Sequence, residues 1–341
     1  MMKYFFRRKV TIFLVLILLV ALSFFLVPKI NQIRTILSFA KVDDYPLYSM
    51  RYYGNYHMKY ELNGSEASRN NVHNTGFTND FSMMCSSFLA RNEKGEPIFC
   101  RNLDFDLLGH PITVLYTNPR GKHASIATAD LFYLGYNDSN PPTSSLSGGW
   151  GLLNAPRITI DGMNEYGLSL AILSVPYAEP TKDPNKMTTD EVGANRLLLD
   201  NAKTVEEAIE ELNKINIQFH NGAAHFMLAD ADGNSAVIEF IDGQMKIVRK
   251  EKPWQVCTNF ILSEDIYGKV GKDRYDLAEK VLNDKNGILS EEEAMELLSK
   301  VSLRGTMWSV VYNLKTGNAS IVMGKKYNKL VNKFHLDMKD D

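Results

Sequence analysis

The stretch Cys85-Ser-Ser-Phe-Leu-Ala-Arg-Asn-Glu-Lys-Gly-Glu-Pro-Ile-Phe-Cys-Arg101-Asn-Leu-Asp104-Phe-Asp106 decides how the rest of the chain is read. Two short apolar runs, Ser87–Ala90 and Ile98–Cys100, flank a polar segment holding Gly95 and Pro97, a pattern that predicts a β-hairpin. Cys85 opens the first strand, and Arg101 and Asp104 close the second. The hairpin therefore gathers a thiol, a guanidinium and a carboxylate at one end, and a nearby cation lowers the pKa of a thiol nucleophile. The plain alternative is a buried cysteine next to a solvated Arg–Asp pair. Three residues is an odd step along a strand, so a straight strand puts Arg101 and Asp104 on opposite faces. If both serve Cys85, the chain must bend or bulge between Asn102 and Asp104.

Working outward, the strands come in hairpins and the helices in pairs. Ile112–Tyr116 and Ser125–Leu134 read as strands, and Ile158–Ser174 as strand, Gly/Asn turn, strand. Ala223–Ala229, the turn Asp230–Asn234 and Ala236–Ile241 make another hairpin, followed by short strands Lys246–Arg249 and Gln255–Thr258. Thr306–Leu314 and Ala319–Met323 make the last. Helices are expected at Thr188–Ala202, Val205–Lys214, Asp273–Leu282 and Glu291–Val301, with capping boxes at Thr204/Glu207 and Ser290/Glu293. This order argues for an α+β fold of antiparallel sheets covered by helices, not for a parallel βαβ sheet.

The 341 residues are 45% hydrophobic and carry a formal net charge of -2, which gives no electrostatic case for nucleic acid. Three cysteines make no disulfide framework, and the seven histidines show no metal-ligand spacing. No phosphate loop or dinucleotide fingerprint is present, so neither cofactor nor metal is expected. At the N-terminus, Lys3, Arg7, Arg8 and Lys9 precede the uncharged run Val10–Val27. At about 1.5 Å per residue it nearly crosses a hydrocarbon core of roughly 30 Å. Residues 1–27 are thus expected to be a signal anchor or a signal peptide, with membrane contact through residues 10–27. The remainder is then exported, either held on the extracytoplasmic side or secreted. Leu47–Tyr60 is aromatic-rich and strand-like, and Asn63–Asn79 is a polar loop that would leave the bond before Cys85 accessible.

The motifs in order resemble the choloylglycine hydrolase superfamily: Cys85, Arg101 sixteen residues on, Asp104 nineteen on, then Asp161-Gly-Met-Asn-Glu-Tyr-Gly-Leu168, His225-Phe-Met-Leu-Ala-Asp-Ala-Asp-Gly-Asn-Ser-Ala-Val-Ile-Glu239, Cys257-Thr-Asn259 and Asp273-Arg-Tyr275. The likeness covers about 85–324. It implies an N-terminal-nucleophile hydrolase with an αββα sandwich over 85–330, acting on a linear amide of a small N-acyl substrate. It further implies self-cleavage of Met84–Cys85, leaving 28–84 as a propeptide or a small subunit held non-covalently. By the same resemblance Cys85 is the nucleophile and its freed amine the base. Asp104 would orient that amine, Arg101 would sit beside the thiol, Asn259 would donate to the oxyanion, and Arg274 would support the cluster. The chain departs from the bile salt hydrolase branch at Ser174, where that branch carries asparagine, and at Cys100, where glycine is usual. A Cys100–Cys257 disulfide stays open in an exported protein. An acyltransferase using the same acyl-enzyme, and a non-catalytic membrane-anchored binding protein with this fold, are the alternatives. His225 is expected to be a packed core histidine, Asp106 structural, and Trp150, Trp254 and Trp308 core or pocket walls.

Overall fold

A computed structural model describes residues 26–56, 58, 61–62, 84–105, 109–220, 222–265, 268–328 and 331–339. The chain begins with helix α1 (26–37) and strands β1 (Ala40–Asp43), β2 (Leu47–Tyr52) and β3 (Glu61–Leu62). Then follow β4 (Met84–Arg91), β5 (Pro97–Asp104), β6 (Ile112–Thr117), β7 (Ser125–Asp130), β8 (Thr159–Asn164), β9 (Ser169–Ser174) and β10 (Met187–Asp190). Helices α2 (Glu191–Asn201) and α3 (Val205–Asn213) lead into β11 (Ile215–Gln218), β12 (Ala224–Ala229), β13 (Ser235–Ile241), β14 (Gln244–Arg249) and β15 (Gln255–Cys257). Helices α4 (Lys272–Asp284) and α5 (Glu291–Lys300) precede β16 (Thr306–Asn313), β17 (Asn318–Met323) and β18 (Asn332–His335).

Two large sheets result, one ordered β1-β2-β6-β7-β8-β9-β12-β13-β14 and the other β15-β4-β5-β16-β17-β18. Strand alternation sorts the side chains into layers. On β4 and β5, Cys85, Leu89, Phe99 and Leu103 join the core between the sheets, together with Val114, Met163, Leu173 and Met227 of the larger sheet. Phe88, Ala90, Ile98 and Cys100 point the other way and pack under α4 and α5, against Ala278, Leu282 and Leu298. On the larger sheet, Ile172, Phe226 and Ile238 face α2 and α3. Each such buried aliphatic or aromatic side chain contributes about 1.5–3 kcal/mol. The mixed α+β fold with antiparallel sheets is therefore as the sequence predicts, helices covering both outer faces.

Several expectations are corrected. The sheets are not wholly antiparallel: β2 runs parallel to β6, and β10 parallel to β11 in a small third sheet. The helix expected from Thr188 starts at Glu191. β-branched Thr188 and Thr189 pair with β11 instead, and Asp190 caps the helix by accepting from Gly193 N. The strand expected to reach Leu134 ends at Asp130, whose side chain accepts from Phe132 N and starts a 3-10 turn that closes at left-handed Gly135. Trp150 lies at the surface, 42% exposed, and is not a core residue. All three cysteines are free, and Cys100 and Cys257 lie on opposite faces of their sheet, so no disulfide joins them. The expected loop Asn63–Asn79 and Asp106 lie outside the described residues, as does the expected anchor apart from Leu26 and Val27. Among the described residues no helix is long and apolar enough to cross a membrane.

Candidate active site

The five residues expected to act together do meet, and they meet around Cys85. β4 and β5 pair in unbroken register, with Cys85 opposite Leu103, Ser87 opposite Arg101, and Met84 opposite Asp104. Arg101 thus shares the inter-sheet face with the Cys85 side chain, and Asp104 lies on the other face. No bend separates them within β5; the irregularity falls on the neighbouring strand β16, between Thr306 and Trp308. The odd step needs no bulge because Cys85 offers two reactive groups. Its thiol projects from one face, while its peptide nitrogen and carbonyl lie in the sheet plane, at an edge reachable from the other.

On the thiol side, Arg101 Nη2 donates to Cys85 Sγ at 3.4 Å and to the Ile172 carbonyl at 2.8 Å. Its Nη1 donates to Asp161 Oδ2 at 2.8 Å and to the Ile160 carbonyl at 3.1 Å. Asp161 in turn accepts from Trp308 Nε1 at 3.1 Å and from Tyr312 OH at 2.7 Å. Arg101 and Asp161 are both fully buried, so each charge depends on the other, Arg101 also on the two carbonyls and Asp161 also on the two neutral donors. Burial pushes the Cys85 thiol above its ordinary 9.0, and the opposing pull of Arg101 does not fully offset it. At neutral pH the thiol therefore keeps its proton and needs a base to lose it.

On the backbone side, Cys85 N donates to Asn259 Oδ1 at 3.0 Å, and Arg274 Nη1 donates to Cys85 O at 3.0 Å. Arg274 binds Asn259 Oδ1 through Nη2 at 2.7 Å and Asp104 Oδ2 through Nη1 at 3.2 Å. Thr306 Oγ1 donates to the other Asp104 oxygen. Burial raises the Asp104 carboxyl, against the lowering bonds from Thr306 and Arg274. Asn259 Nδ2, the group expected to meet an oxyanion, donates to the Ser174 carbonyl at 2.7 Å. Ser174 therefore enters the site through its backbone, which any residue in the asparagine's place would also supply.

Local structure explains why Asn259 and Arg274 arrive there. Gly271 caps α4 with φ +75°, a left-handed conformation that favours glycine. A Cβ at that position would stand 2.6 Å from Arg274 Nη2, so glycine also makes room for the guanidinium to fold back toward Cys85. Its carbonyl accepts from Thr258 Oγ1 at 3.1 Å, tying the cap to the residue before Asn259. Thr258 is held a second time, its carbonyl accepting from His225 Nε2 at 2.8 Å. His225 Nδ1 faces Glu239 Oε1 at 3.4 Å, and Glu239 accepts from the Leu262 and Ser263 amides at 2.6 and 3.0 Å. His225 is thus a core histidine with a positioning task.

Sequence reasoning alone misses Asp161, Thr306, Trp308 and Gly271 as contributors. Asp161 carries a signal that could have found it: a single carboxylate inside the apolar strand β8 must have a buried partner. Thr306 and Gly271 carry none, because their roles depend on contacts with Asp104 and Arg274 far away in sequence.

The family model of linear amide C-N hydrolases, choloylglycine hydrolase family, matches residues 85–260 and so begins on Cys85 itself. The chain belongs to this family. Over 115 residues it is 33% identical to the penicillin V acylase of Pectobacterium atrosepticum, a match spanning 30% of this chain and only 30% of that protein. Among solved structures it resembles a mutant of the conjugated bile acid hydrolase from Clostridium perfringens, with a TM-score of 0.55 and 17% identity. That match covers 75% of this chain and 94% of the other. It also resembles the penicillin V acylase from Agrobacterium tumefaciens, with a TM-score of 0.53 and 21% identity over 74% and 86% of the two chains. At such identities the likeness carries the N-terminal-nucleophile fold alone.

Proposed function

We propose that this chain is a cysteine amidohydrolase that cleaves a linear N-acyl amide through an acyl-enzyme on Cys85, after cutting its own Met84–Cys85 bond. The observation that carries the reading is the separate provision for the two halves of Cys85. Arg101 attends the sulfur, while Asn259, Arg274 and, through Arg274, Asp104 attend the backbone. Every buried peptide group needs partners, but here they are the polar side chains of Asn259 and Arg274, a charged cluster gathered on the backbone of one cysteine. Among the described side chains in contact with Sγ none is a base, and burial holds the thiol above its ordinary 9.0. A free α-amine at Cys85 would supply the missing base.

Self-cleavage begins when Sγ attacks the Met84 carbonyl carbon, the thiol proton passes to the departing Cys85 nitrogen, and a thioester replaces the amide. Water then hydrolyses the thioester, leaving a carboxylate on Met84 and a free thiol and amine on Cys85. In each later turnover the amine takes the thiol proton and the thiolate adds to the substrate carbonyl. The ammonium returns that proton to the leaving amine, and water resolves the acyl-enzyme. Oxyanion stabilisation falls to a donor such as Asn259 Nδ2, for which the usual worth is about 3–4 kcal/mol.

The segment 28–84 would stay bound after the cut. β2 contributes six register pairs with β6, Leu47 and Met50 are buried, and Tyr56 OH donates to Asp200 Oδ1 at 2.6 Å. The uncharged run Val10–Val27 supports an anchored or exported protein with this domain outside the cytoplasm; protease digestion of intact cells tests that placement. Mass spectrometry of purified active protein tests the cut: a chain beginning at Cys85 is expected. Active protein with Cys85 still amide-linked to Met84 overturns the mechanism. Cys85→Ala should lose both processing and hydrolysis of a broad N-acyl amide panel, and persisting hydrolysis would refute the assignment.

A further inference from the structure

Helix α1 (26–37) turns its apolar residues away from the protein. With about 100° between successive residues, Leu26, Ile30, Ile33 and Leu37 fall on one stripe. Leu26, Ile30 and Leu37 are 52%, 51% and 60% exposed, whereas Thr35 and Ile36 on the inner side are at 0%. The inner contact is close: a Cβ on Gly149 would stand 2.5 Å from Ile36 Cγ2. The helix is therefore fixed to the body with the polarity of an ordinary surface helix reversed.

Each flank of the stripe carries a cation set against an aromatic ring. Lys29 Nζ lies 5.9 Å from the centroid of the Trp150 ring on one side, and Arg34 Cζ lies 4.0 Å from that of Tyr53 on the other. Trp150 is itself exposed, and its Nε1 donates to the carbonyl of exposed Leu146 at 2.7 Å. The uncharged run Val10–Val27 ends on this helix. Pro28 lies in the first described turn of the helix, where a missing N–H is tolerated.

We infer that this face docks on the surface of an anionic lipid bilayer, with the α1 stripe among the outer acyl segments and Lys29 and Arg34 at the phosphates. A second copy of the chain is the competing occupant, because the stripe also fits heptad spacing, with Leu26 and Ile33 at d and Ile30 and Leu37 at a. In that register Lys29 is g and Arg34 is e, and a parallel pair sets Lys29 of one copy against Arg34 of the other. Like charges there oppose self-pairing, and the same two charges favour anionic lipid. The inference is separate from the hydrolase reading. It also goes beyond the anchor, since a tether does not decide which face of the domain meets the membrane.

The test uses the full chain reconstituted in phosphatidylcholine vesicles with and without phosphatidylglycerol. An environment-sensitive probe is placed at Leu37→Cys, at Ile30→Cys, and at Lys315→Cys as a control, all in a Cys85→Ala background that removes the proposed nucleophile; Cys100 and Cys257 are fully buried, so labelling is selective. Probes at 30 and 37 should shift to the blue and be quenched by lipids brominated near the headgroup. Combining Lys29→Glu with Arg34→Glu should weaken docking about thirtyfold or more, read as loss of that quenching, and the control should respond to neither. A probe at 37 that stays in water in both vesicle types overturns the inference. Energy transfer between donor- and acceptor-labelled copies at 37, without lipid quenching, also overturns it and assigns the stripe to a second copy.

Discussion

Two buried thiols face the gap between the sheets from neighbouring strands, Cys85 on β4 and Cys257 on β15, and their surroundings differ in kind. Cys257 has the outline of a catalytic group: its Sγ lies 3.2 Å from His225 Nε2, and Glu239 stands behind the other ring nitrogen. Among the described residues, the side chain bonded to the Cys85 sulfur is that of Arg101. The hydrogen bonds reverse that impression. The Thr258 carbonyl, a pure acceptor 2.8 Å from His225 Nε2, requires a hydrogen on that nitrogen, so the nitrogen is no base for Cys257. Burial, with Glu239 adding to it, raises the Cys257 thiol well above 9.0. Cys85 lacks a side-chain base but has partners for its own backbone nitrogen, the group that chain cleavage would turn into one. In the mechanism proposed for Cys85 the nucleophile is set apart by its backbone partners, and proximity of a histidine is a poor guide.

The sharpest way to break the comparison is to exchange each sulfur for oxygen. Cys85→Ser should lower amide hydrolysis on the order of a thousandfold or more, as loss of a nucleophile does. Cys257→Ser should leave the rate within about twofold, because its neighbours only position Thr258. Comparable losses at the two sites, measured by product release from the same N-acyl substrate, would end the distinction.

Next in size is the support behind Arg101. Asp161→Asn leaves a fully buried guanidinium without its counter-charge, which costs about 3–5 kcal/mol. A thermal melt should show that loss, and Arg101→Met combined with Asp161→Asn should recover much of the stability while leaving the protein inactive. If the single variant melts like the parent, the pair is not the dry ion pair described above.

The Glu239–His225 tether behind Cys257 is expected to matter less, and through pH. Burial alone would raise the Glu239 carboxyl, but bonds from His225, Ser263 and Leu262 outweigh it and hold the group below its ordinary 4.5. A carboxyl depressed on folding stabilises fully above its unfolded value, and the contribution fades as pH falls through the folded one. Glu239→Gln should therefore cost about 1–3 kcal/mol near neutrality and flatten the stability curve below pH 4.5. An unchanged acid limb in denaturant titrations would show that the tether carries no linkage.

How far the sequence reveals these parts depends on how local their causes are. The β4–β5 hairpin is legible because its apolar runs are short and Gly95, at φ +80°, marks the turn between them. Apolar periodicity and N-caps likewise place α3 and α5 to within a residue, with a full capping box at Ser290/Glu293, whereas at Thr204 only the side-chain cap forms and the Glu207 carboxylate accepts from Lys203 N instead. By contrast β2 finds a parallel partner in β6 some sixty residues later, and no local pattern announces such a pairing. Cys85, Arg101 and Asp104 suggest one another by sharing a hairpin. Asn259 and Arg274 enter only through family resemblance, since chain spacing says nothing about a helix cap folding toward a strand end. Asp161 stands in between: its burial is readable from β8, its partner is not.

Gly271 offers the finest test of how the backbone side of Cys85 differs from the thiol side. Arg101 is held by strands, and a small change in a loop should not reach it. Arg274 depends on the α4 cap, where a methyl group meets both the positive φ of 75° and the guanidinium 2.6 Å away. Gly271→Ala should cost only about 1–2 kcal/mol of stability from the left-handed backbone. It should nevertheless slow Met84–Cys85 cleavage, because Arg274 is displaced from Cys85 O and Asn259 Oδ1. The melt and the processing rate, followed by gel in the same sample, separate the two effects. Normal cleavage in a mildly destabilised variant would mean that Arg274 tolerates displacement and that Asn259 alone positions the peptide group of Cys85.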